Sequence, residues 1–360
     1  MYRRAYALLV GTALVMGVLA LVVSRHYDRP LLDPEGSFLG PSWLRLPLLL
    51  IGAGLLDLLP RTLWFSRLMP QAMPAIVRER IRTHWSRERI TLVVLGIVSF
   101  YVTYVSYRNL KSYLPIARPD VDYDTELKLV DRVLFFGNNP GEVLHAVLGQ
   151  GVSAHFLSLI YLLFLPLVPL ALTAWLVWSR NISIGYWFAT SQCLAWSLGT
   201  LSYYALPTKG PAFESFAWYA DLDPTPTTDL INSLADARTE VIHGGALGVV
   251  QSVAGFASLH CAITLLLALM VQFTLRNRLI KIVFWANFVI TIIATIYFGW
   301  HYIADDIAGI MIAFVSFYVG GIATGQKFER RSLQSHPTTT TSVIPVERVS
   351  EPAIRPAGKE

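Results

Sequence analysis

Eight stretches of mostly apolar residues recur along this chain, and each is long enough to cross the hydrocarbon core of a bilayer as a helix. Their approximate bounds are 5–24, 43–64, 90–108, 155–178, 183–206, 254–275, 279–299 and 303–325. With 54% hydrophobic and 15% charged residues, the 360-residue chain lacks the charge that a water-exposed surface needs. The sequence therefore predicts an all-α, polytopic transmembrane helix bundle. It excludes a secreted disulfide scaffold, a disordered chain and a typical cytosolic enzyme.

Basic residues predict how this bundle is oriented in the membrane. They concentrate after the second, fourth, sixth and eighth spans, at Arg61, Arg67, Arg78, Arg80, Arg82, Arg87, Arg89, Arg180, Arg276, Arg278, Lys281, Lys327, Arg330 and Arg331. Because segments rich in Lys and Arg stay in the cytoplasm, both termini are expected there. The long connections 109–154 and 207–253 then lie on the extracytoplasmic side, in part as interfacial helices. We expect a multi-pass cell-membrane protein in contact with lipid, with no nucleic-acid partner and with an oligomeric state that the sequence leaves open.

His301 and Asp305 are the first pair that could carry chemistry, at the start of the eighth span. Their i,i+4 spacing places both side chains on one helix face. A carboxylate there can hold one imidazole nitrogen and leave the other free as a nucleophile. A polar pair that merely caps the helix is an equally good interpretation of the spacing alone. Asp306 is a second candidate for the carboxylate, although it points about 100° away from Asp305 on a helix.

His260 lies two residues after Ser258, at the opening of the sixth span. Backbone N–H groups at the start of a helix favour anions, so a phosphate could bind there. An interfacial histidine bonded to a loop carbonyl is the alternative. A second histidine, His301, is expected at the same membrane depth, and together they could supply a nucleophile and a general acid/base.

Positive charge on the same side comes from Lys111 and Arg118, just beyond the third span, and from Lys209 and Arg238 in the second long connection. Arginine suits bidentate phosphate binding and lysine acts as a point charge. Basic residues at helix ends also commonly reach toward lipid headgroups, which is the alternative. An acidic run is expected to form a solvated face rather than a metal site: Asp120, Asp122, Asp124 and Glu126.

These clusters resemble the motifs of the type 2 phosphatidic acid phosphatase superfamily, in particular its inositol phosphorylceramide synthase-like branch. The first motif of that superfamily, K-x6-RP, is matched by Lys111 through Arg118-Pro119. Its second motif, PSGH, is similar to Ala257-Ser-Leu-His260, and the end of its third, SR-x5-H-x3-D, is matched by His301 and Asp305. The SR pair of the third motif is absent, because Ala294 and Thr295 occupy its places.

The resemblance implies a fold with a six-helix catalytic core and a reaction without metal or other cofactor. His301 would attack phosphorus and form a phosphohistidine, Asp305 would orient its ring, and His260 would act as general acid and base. The substrate would be a phospholipid, a polyprenyl phosphate or a sphingolipid-like phosphate. The residues expected to hold phosphate oxygens are Lys111, Arg118 and Ser258, with Lys209 or Arg238 in place of the missing arginine.

Three regions follow from these expectations. Residues 1–89 would form N-terminal spans and a basic cytoplasmic loop, 90–325 a catalytic membrane domain, and 326–360 a disordered cytoplasmic tail rich in Thr, Pro and charge. The predicted function is a lipid phosphatase or phosphotransferase with an extracytoplasmic site. A non-catalytic transporter or flippase of anionic lipids, and an inactive relative of the family, remain as alternatives.

Overall fold

The computed structural model describes residues 6–33, 41–67, 69–119, 121–179, 181–243, 253–329 and 334–337. Its long helices are α1 (Ala7–His26), α2 (Ser42–Ser66), α4 (Arg87–Ala117), α7 (Val152–Trp178), α8 (Ile182–Ala205), α11 (Leu259–Thr274), α12 (Arg278–Tyr297) and α13 (Ile303–Ala323). Shorter helices are α3 (Met73–His84), α5 (Asp124–Leu134), α6 (Pro140–Leu148), α9 (Pro211–Glu214) and α10 (Pro226–His243), and Phe216–Trp218 is a 3-10 turn. The prediction of an all-α membrane helix bundle is confirmed.

A long helix lies at each of the eight predicted spans. Six of them, α1, α2, α4, α7, α12 and α13, are long and apolar enough to cross a membrane by length and composition. Of the other two, α8 has 24 residues with a mixed composition, and α11 has only 16 residues. The structure therefore supports a multi-pass protein.

Two predicted boundaries were wrong. The third span was expected to end at residue 108, but α4 continues to Ala117, so Lys111 lies inside the helix rather than beyond it. The sixth span was expected from residue 254, but α11 begins at Leu259 because the Ser258 side chain caps it by accepting the backbone N–H of Cys261.

Helix α11 is the centre of the bundle. Almost all of its side chains are buried, which is typical of a helix that is apolar on every face. It packs against α8, α12, α13 and α7, while α1 and α4 pack on the outer side of α8. Consequently the first turn of α11, which carries His260, is surrounded by neighbouring helices.

Two short strands follow α13, at residues 326–329 and 334–337. Strands β1 (Gln326–Glu329) and β2 (Gln334–Pro337) pair antiparallel, with Gln326 opposite Pro337. The Phe328 ring packs against Phe317 and Trp187, which anchors this hairpin on the bundle. The rest of the predicted tail, 330–333 and 338–360, lies outside the described residues, and the disorder expected there stays a prediction. Three of the basic residues used for orientation are also outside the described residues: Arg180, Arg330 and Arg331.

Candidate active site

His301 and Asp305 are in contact at the start of α13. Nδ1 of His301 lies 3.3 Å from Oδ2 of Asp305, and the same oxygen accepts the backbone N–H of Tyr302 at 2.9 Å. Asp305 is fully buried, so its carboxylate has little freedom to turn away. Nδ1 is thereby oriented by the carboxylate, and the remaining ring nitrogen, Nε2, is the atom available for chemistry.

The His301 ring lies in the turn between α12 and α13 and is 7% exposed. Burial, reinforced by the positive charge of Lys111, lowers the pKa of His301 to about 4. The imidazole is therefore neutral at pH 7, which is the protonation state that a nitrogen nucleophile needs.

His260 faces His301 across a short gap. The two ring centroids are 6.4 Å apart. The His260 ring stacks on Tyr161 of α7 at 4.3 Å and contacts Phe164 at 4.1 Å, and Tyr161 stacks in turn on Trp300. This aromatic stack holds the second histidine beside the first.

Both histidines line a cavity of about 340 Å³. Four cations also line it, and they come from α2, α4 and the loop before α9: Arg45, Arg108, Lys111 and Lys209. Much of the remaining wall is aromatic: Tyr104, Tyr107, Tyr161, Phe164, Trp196, Tyr203, Phe213 and Trp300. Within the described part of the chain, no carboxylate lines this cavity. Its chemistry suits a ligand that combines negative charge with apolar groups.

Lys111 and Lys209 are the two predicted cations that reach the cavity. Nζ of Lys111 lies 4.8 Å from the centroid of the Tyr203 ring, a cation–π distance. Nζ of Lys209 lies 2.8 Å from a carboxylate oxygen of Asp122 and 3.0 Å from one of Glu214. The Lys209 charge is therefore shared with two carboxylates before any ligand binds.

Arg118 and Ser258, also predicted to bind phosphate, do not line the cavity. Arg118 is half-buried at the end of α4, where Nη1 donates to the Tyr204 carbonyl at 2.8 Å. Ser258 is fully buried, and its hydroxyl caps α11 as described above. Both side chains thus have structural partners, and their predicted phosphate contacts stay predictions.

Arg238, on α10, is likewise outside the cavity wall. Its nearest opposite charges are Asp124 and Asp122, and burial lowers its pKa from the usual value. The expectation that Arg238 replaces the missing arginine of the third motif also stays a prediction.

Thr295 shows what stands in place of that arginine. Its hydroxyl donates to Oδ2 of Asp306 at 3.0 Å, deep in the bundle between α12 and α13. Asp306, the second candidate for the histidine's partner, is thus bonded to Thr295 and acts on His301 through its charge, whereas Nδ1 of His301 lies against Asp305.

The acidic run at the start of α5 was expected to form a solvated face, and for Asp124 this prediction was wrong. Asp124 is fully buried and accepts hydrogen bonds from the backbone N–H groups of Lys209 and Gly210 and from the Tyr302 hydroxyl. On the same helix, Asp131 accepts the N–H of Ile303 at 3.1 Å.

Burial raises the pKa of Asp124 to about 6 and that of Asp131 to about 7. Through the hydrogen bonds of Asp124 and Asp131, helix α5 is connected both to the Lys209 loop and to the start of α13. Asp120 of the same run lies outside the described residues.

Sequence reasoning missed Arg45 and Arg108. A usable signal existed for Arg108, because it precedes Lys111 by three residues and so shares its helix face. Arg45 gave none, since it lies more than sixty residues away on a helix that the motifs do not include.

The comparisons with known proteins agree with this geometry. The family model of the PAP2 superfamily, the type 2 phosphatidic acid phosphatases, matches residues 125–319. No curated protein and no solved structure matches the chain at the threshold applied. The matched residues form more than half of the chain and include both histidines, Asp305 and Lys209. The chain is therefore a membrane protein of the PAP2 superfamily, whose members are phosphatases and phosphotransferases.

Proposed function

We propose that this protein is a lipid phosphatase or phosphotransferase that acts through a phosphohistidine at His301. The observation that carries the proposal is the joint placement of a neutral, carboxylate-oriented His301 and of His260 on one cavity that also holds four cations. Such a set supplies a nucleophile, a proton donor and charge neutralisation at one place.

In the first step, the lone pair on Nε2 of His301 attacks phosphorus of the bound lipid phosphate. An N–P bond forms and the P–O bond to the leaving group breaks, with its electron pair going to the leaving oxygen. His260, which enters this step as an imidazolium, transfers one ring proton to that oxygen and becomes neutral. Both rings line the same cavity, so they can act on one bound group.

In the second step, His260 takes a proton from the acceptor hydroxyl, whose oxygen attacks the phosphohistidine. The P–N bond breaks and its electrons return to Nε2, so both histidines regain their starting states. Water as the acceptor gives a phosphatase. A lipid alcohol gives a phosphotransferase, for instance one that moves an inositol phosphate headgroup.

Negative charge on the phosphoryl oxygens would be neutralised by cations of the cavity. Lys111 is the first candidate, because its charge acts on the His301 ring. This role needs no metal, in line with the sequence-based expectation. The aromatic and aliphatic part of the wall would hold the apolar portion of the lipid. We further propose that the cavity opens on the extracytoplasmic side, as the distribution of Lys and Arg predicts.

The decisive variants are His301→Ala and Asp305→Asn in the purified full chain, assayed for release of phosphate or headgroup from a panel of phospholipids and polyprenyl phosphates. We expect His301→Ala to abolish turnover and Asp305→Asn to lower it by about 10²-fold or more, because the ring loses its nucleophile or its orientation. His155→Ala is the matched control, since His155 is exposed on α7 and does not line the cavity.

A covalent phosphohistidine at His301, trapped with labelled substrate, would support the enzyme. Lipid movement between leaflets that is unaffected by loss of His301, without any turnover, would instead establish a transporter. Mass spectrometry of products formed with and without an inositol-containing or ceramide-like acceptor separates hydrolysis from transfer.

A further inference from the structure

Two arginines on the cavity wall, unlike Lys111, were given no individual role in the steps above. Arg45 lies in the first turn of α2, and Arg108 lies one turn before Lys111 on α4. Both precede residues 125–319, so the part of the chain that matches the superfamily does not account for them. They are contributed by α2 and α4.

Their guanidinium groups are only partly satisfied by the protein. Nη2 of Arg45 donates to the Ser42 hydroxyl at 3.1 Å, but Nε of Arg45 and Nε of Arg108 are buried and have no hydrogen-bond partner among the described residues. Buried donors are nearly always paired in folded proteins, so two unpaired guanidinium nitrogens on one cavity indicate a missing acceptor.

The charges around them lead to the same conclusion. Arg108 is close enough to Lys111 for the two positive charges to interact unfavourably. Lys209 is neutralised by Asp122 and Glu214, but no carboxylate of the described chain lines the cavity beside the arginines. An anion bound there would relieve the repulsion and accept the free N–H groups, and guanidinium is well suited to bind phosphate in this way.

This place differs from the one at His301. Helix α2 packs against α3, α4 and α7, whereas His301 and His260 belong to the starts of α13 and α11. Arg45 therefore reaches the cavity from a helix that carries neither histidine.

We propose that Arg45 and Arg108 form a second anion site, which binds another negatively charged group on the headgroup of the same lipid. The inference rests on the proposed function for the identity of the first group. It assigns the substrate to lipids that carry two anionic groups, and it makes α2 and α4 responsible for this specificity.

The test compares two short-chain lipids that differ by one phosphate, dioctanoyl phosphatidylinositol and its ring-phosphorylated 4-phosphate. Binding to the full chain in detergent is measured in the His301→Ala background, so that neither lipid is consumed. The parent chain is expected to bind the lipid with two anionic groups at least tenfold more tightly. Arg45→Gln and Arg108→Gln should each reduce that preference to less than threefold.

The matched control is Arg87→Gln, an exposed arginine at the opposite end of α4. It should keep the full preference. Arg108→Lys serves where Arg108→Gln does not fold, and it should also lose most of the preference because lysine keeps the charge but lacks the fork of N–H donors.

Equal binding of the two lipids by the parent chain would overturn the inference, as would a preference that survives both arginine substitutions. Competition by the free inositol bisphosphate headgroup distinguishes a lipid site from a site for a soluble anion. We expect the headgroup alone to bind at least tenfold more weakly, and equal affinity would overturn the assignment to a lipid. Absence of turnover by the wild-type chain would refute the proposed function while leaving the binding preference measurable.

Discussion

Lys111 and Arg118 belong to one sequence motif, but the structure gives them different surroundings. Lys111 points its ammonium group into the cavity beside the Tyr203 ring. Arg118 donates to the Tyr204 carbonyl at the end of α8 and does not line the cavity. At the scale of single residues, one is therefore placed to bind a ligand and the other to join two helix ends.

The substitutions Lys111→Gln and Arg118→Gln should separate these roles. Loss of Lys111 removes a cation that neutralises the negative charge on the phosphoryl oxygens. The value of kcat/KM for a lipid phosphate should therefore fall by about 10²-fold or more. Loss of Arg118 should lower the thermal midpoint of the protein but reduce kcat/KM by less than about tenfold, because the bond it breaks is structural. An Arg118→Gln protein of unchanged stability that is as inactive as Lys111→Gln would contradict this division.

The sequence was informative at this scale where spacing along one helix decides geometry. The contact between His301 and Asp305 follows from their i,i+4 spacing alone. By contrast, the burial of Ser258 and of Asp124 involves contacts with Asp306 and Tyr302, far away along the chain. Arg45 reaches the cavity only because α2 packs on α4 and α7, and no local pattern in the sequence carries that information.

Helices α11 and α13 hold the two histidines at a fixed separation, and their contact depends on Gly309. A Cβ atom at Gly309 would overlap the backbone carbonyl oxygen of Ser258, at the cap of α11. On the other side of this contact, the N–H of Ser258 donates to the carbonyl of Asp305 at 3.0 Å. The starts of the two helices are thus joined through backbone atoms, which cannot rotate away from an added methyl group.

Gly309→Ala is therefore expected to destabilise the protein by about 1–3 kcal/mol and to lower kcat by at least tenfold, since it moves His260 relative to His301. Thermal unfolding in detergent and a lipid phosphatase assay measure the two effects. The control is Gly52→Ala on α2, where an added Cβ meets nothing within 4 Å and helix propensity favours alanine. Similar stability and activity in the two variants would show that the α11–α13 contact does not set the site.

Most helices could be predicted from apolar runs, but the ends that form the site could not. Hydropathy declines after residue 108, where Arg108 and Lys111 interrupt the apolar run, and the predicted span ended there. In the structure, the Lys111 ammonium lies near the rings of Tyr107 and Tyr203, which accommodate its charge inside the bundle. The helix continues past it to Ala117. Tertiary packing, rather than hydropathy, decides where this helix ends.

The whole molecule has two ends with different chemistry. One end carries exposed basic residues, such as Arg78 and Arg82 on α3. The other end holds the cavity together with α5, α6 and the turn between them, where apolar side chains such as Val133 and Phe136 are exposed. Apolar side chains beside a membrane-embedded bundle suit the interface between lipid and water. The distribution of Lys and Arg then favours an extracytoplasmic position for the cavity.

Single cysteines at the two ends test this orientation. Val147 on α6 is 74% exposed at the cavity end, and Arg82 is exposed on α3 at the other. In sealed right-side-out membrane vesicles, a maleimide that cannot cross the bilayer should label Val147→Cys at once. It should label Arg82→Cys only after permeabilisation. The unmodified chain is a suitable background because Cys193 and Cys261 are both buried. The reverse pattern of labelling would place the cavity on the cytoplasmic side. The acceptor would then come from the cytoplasm, and released phosphate would enter it.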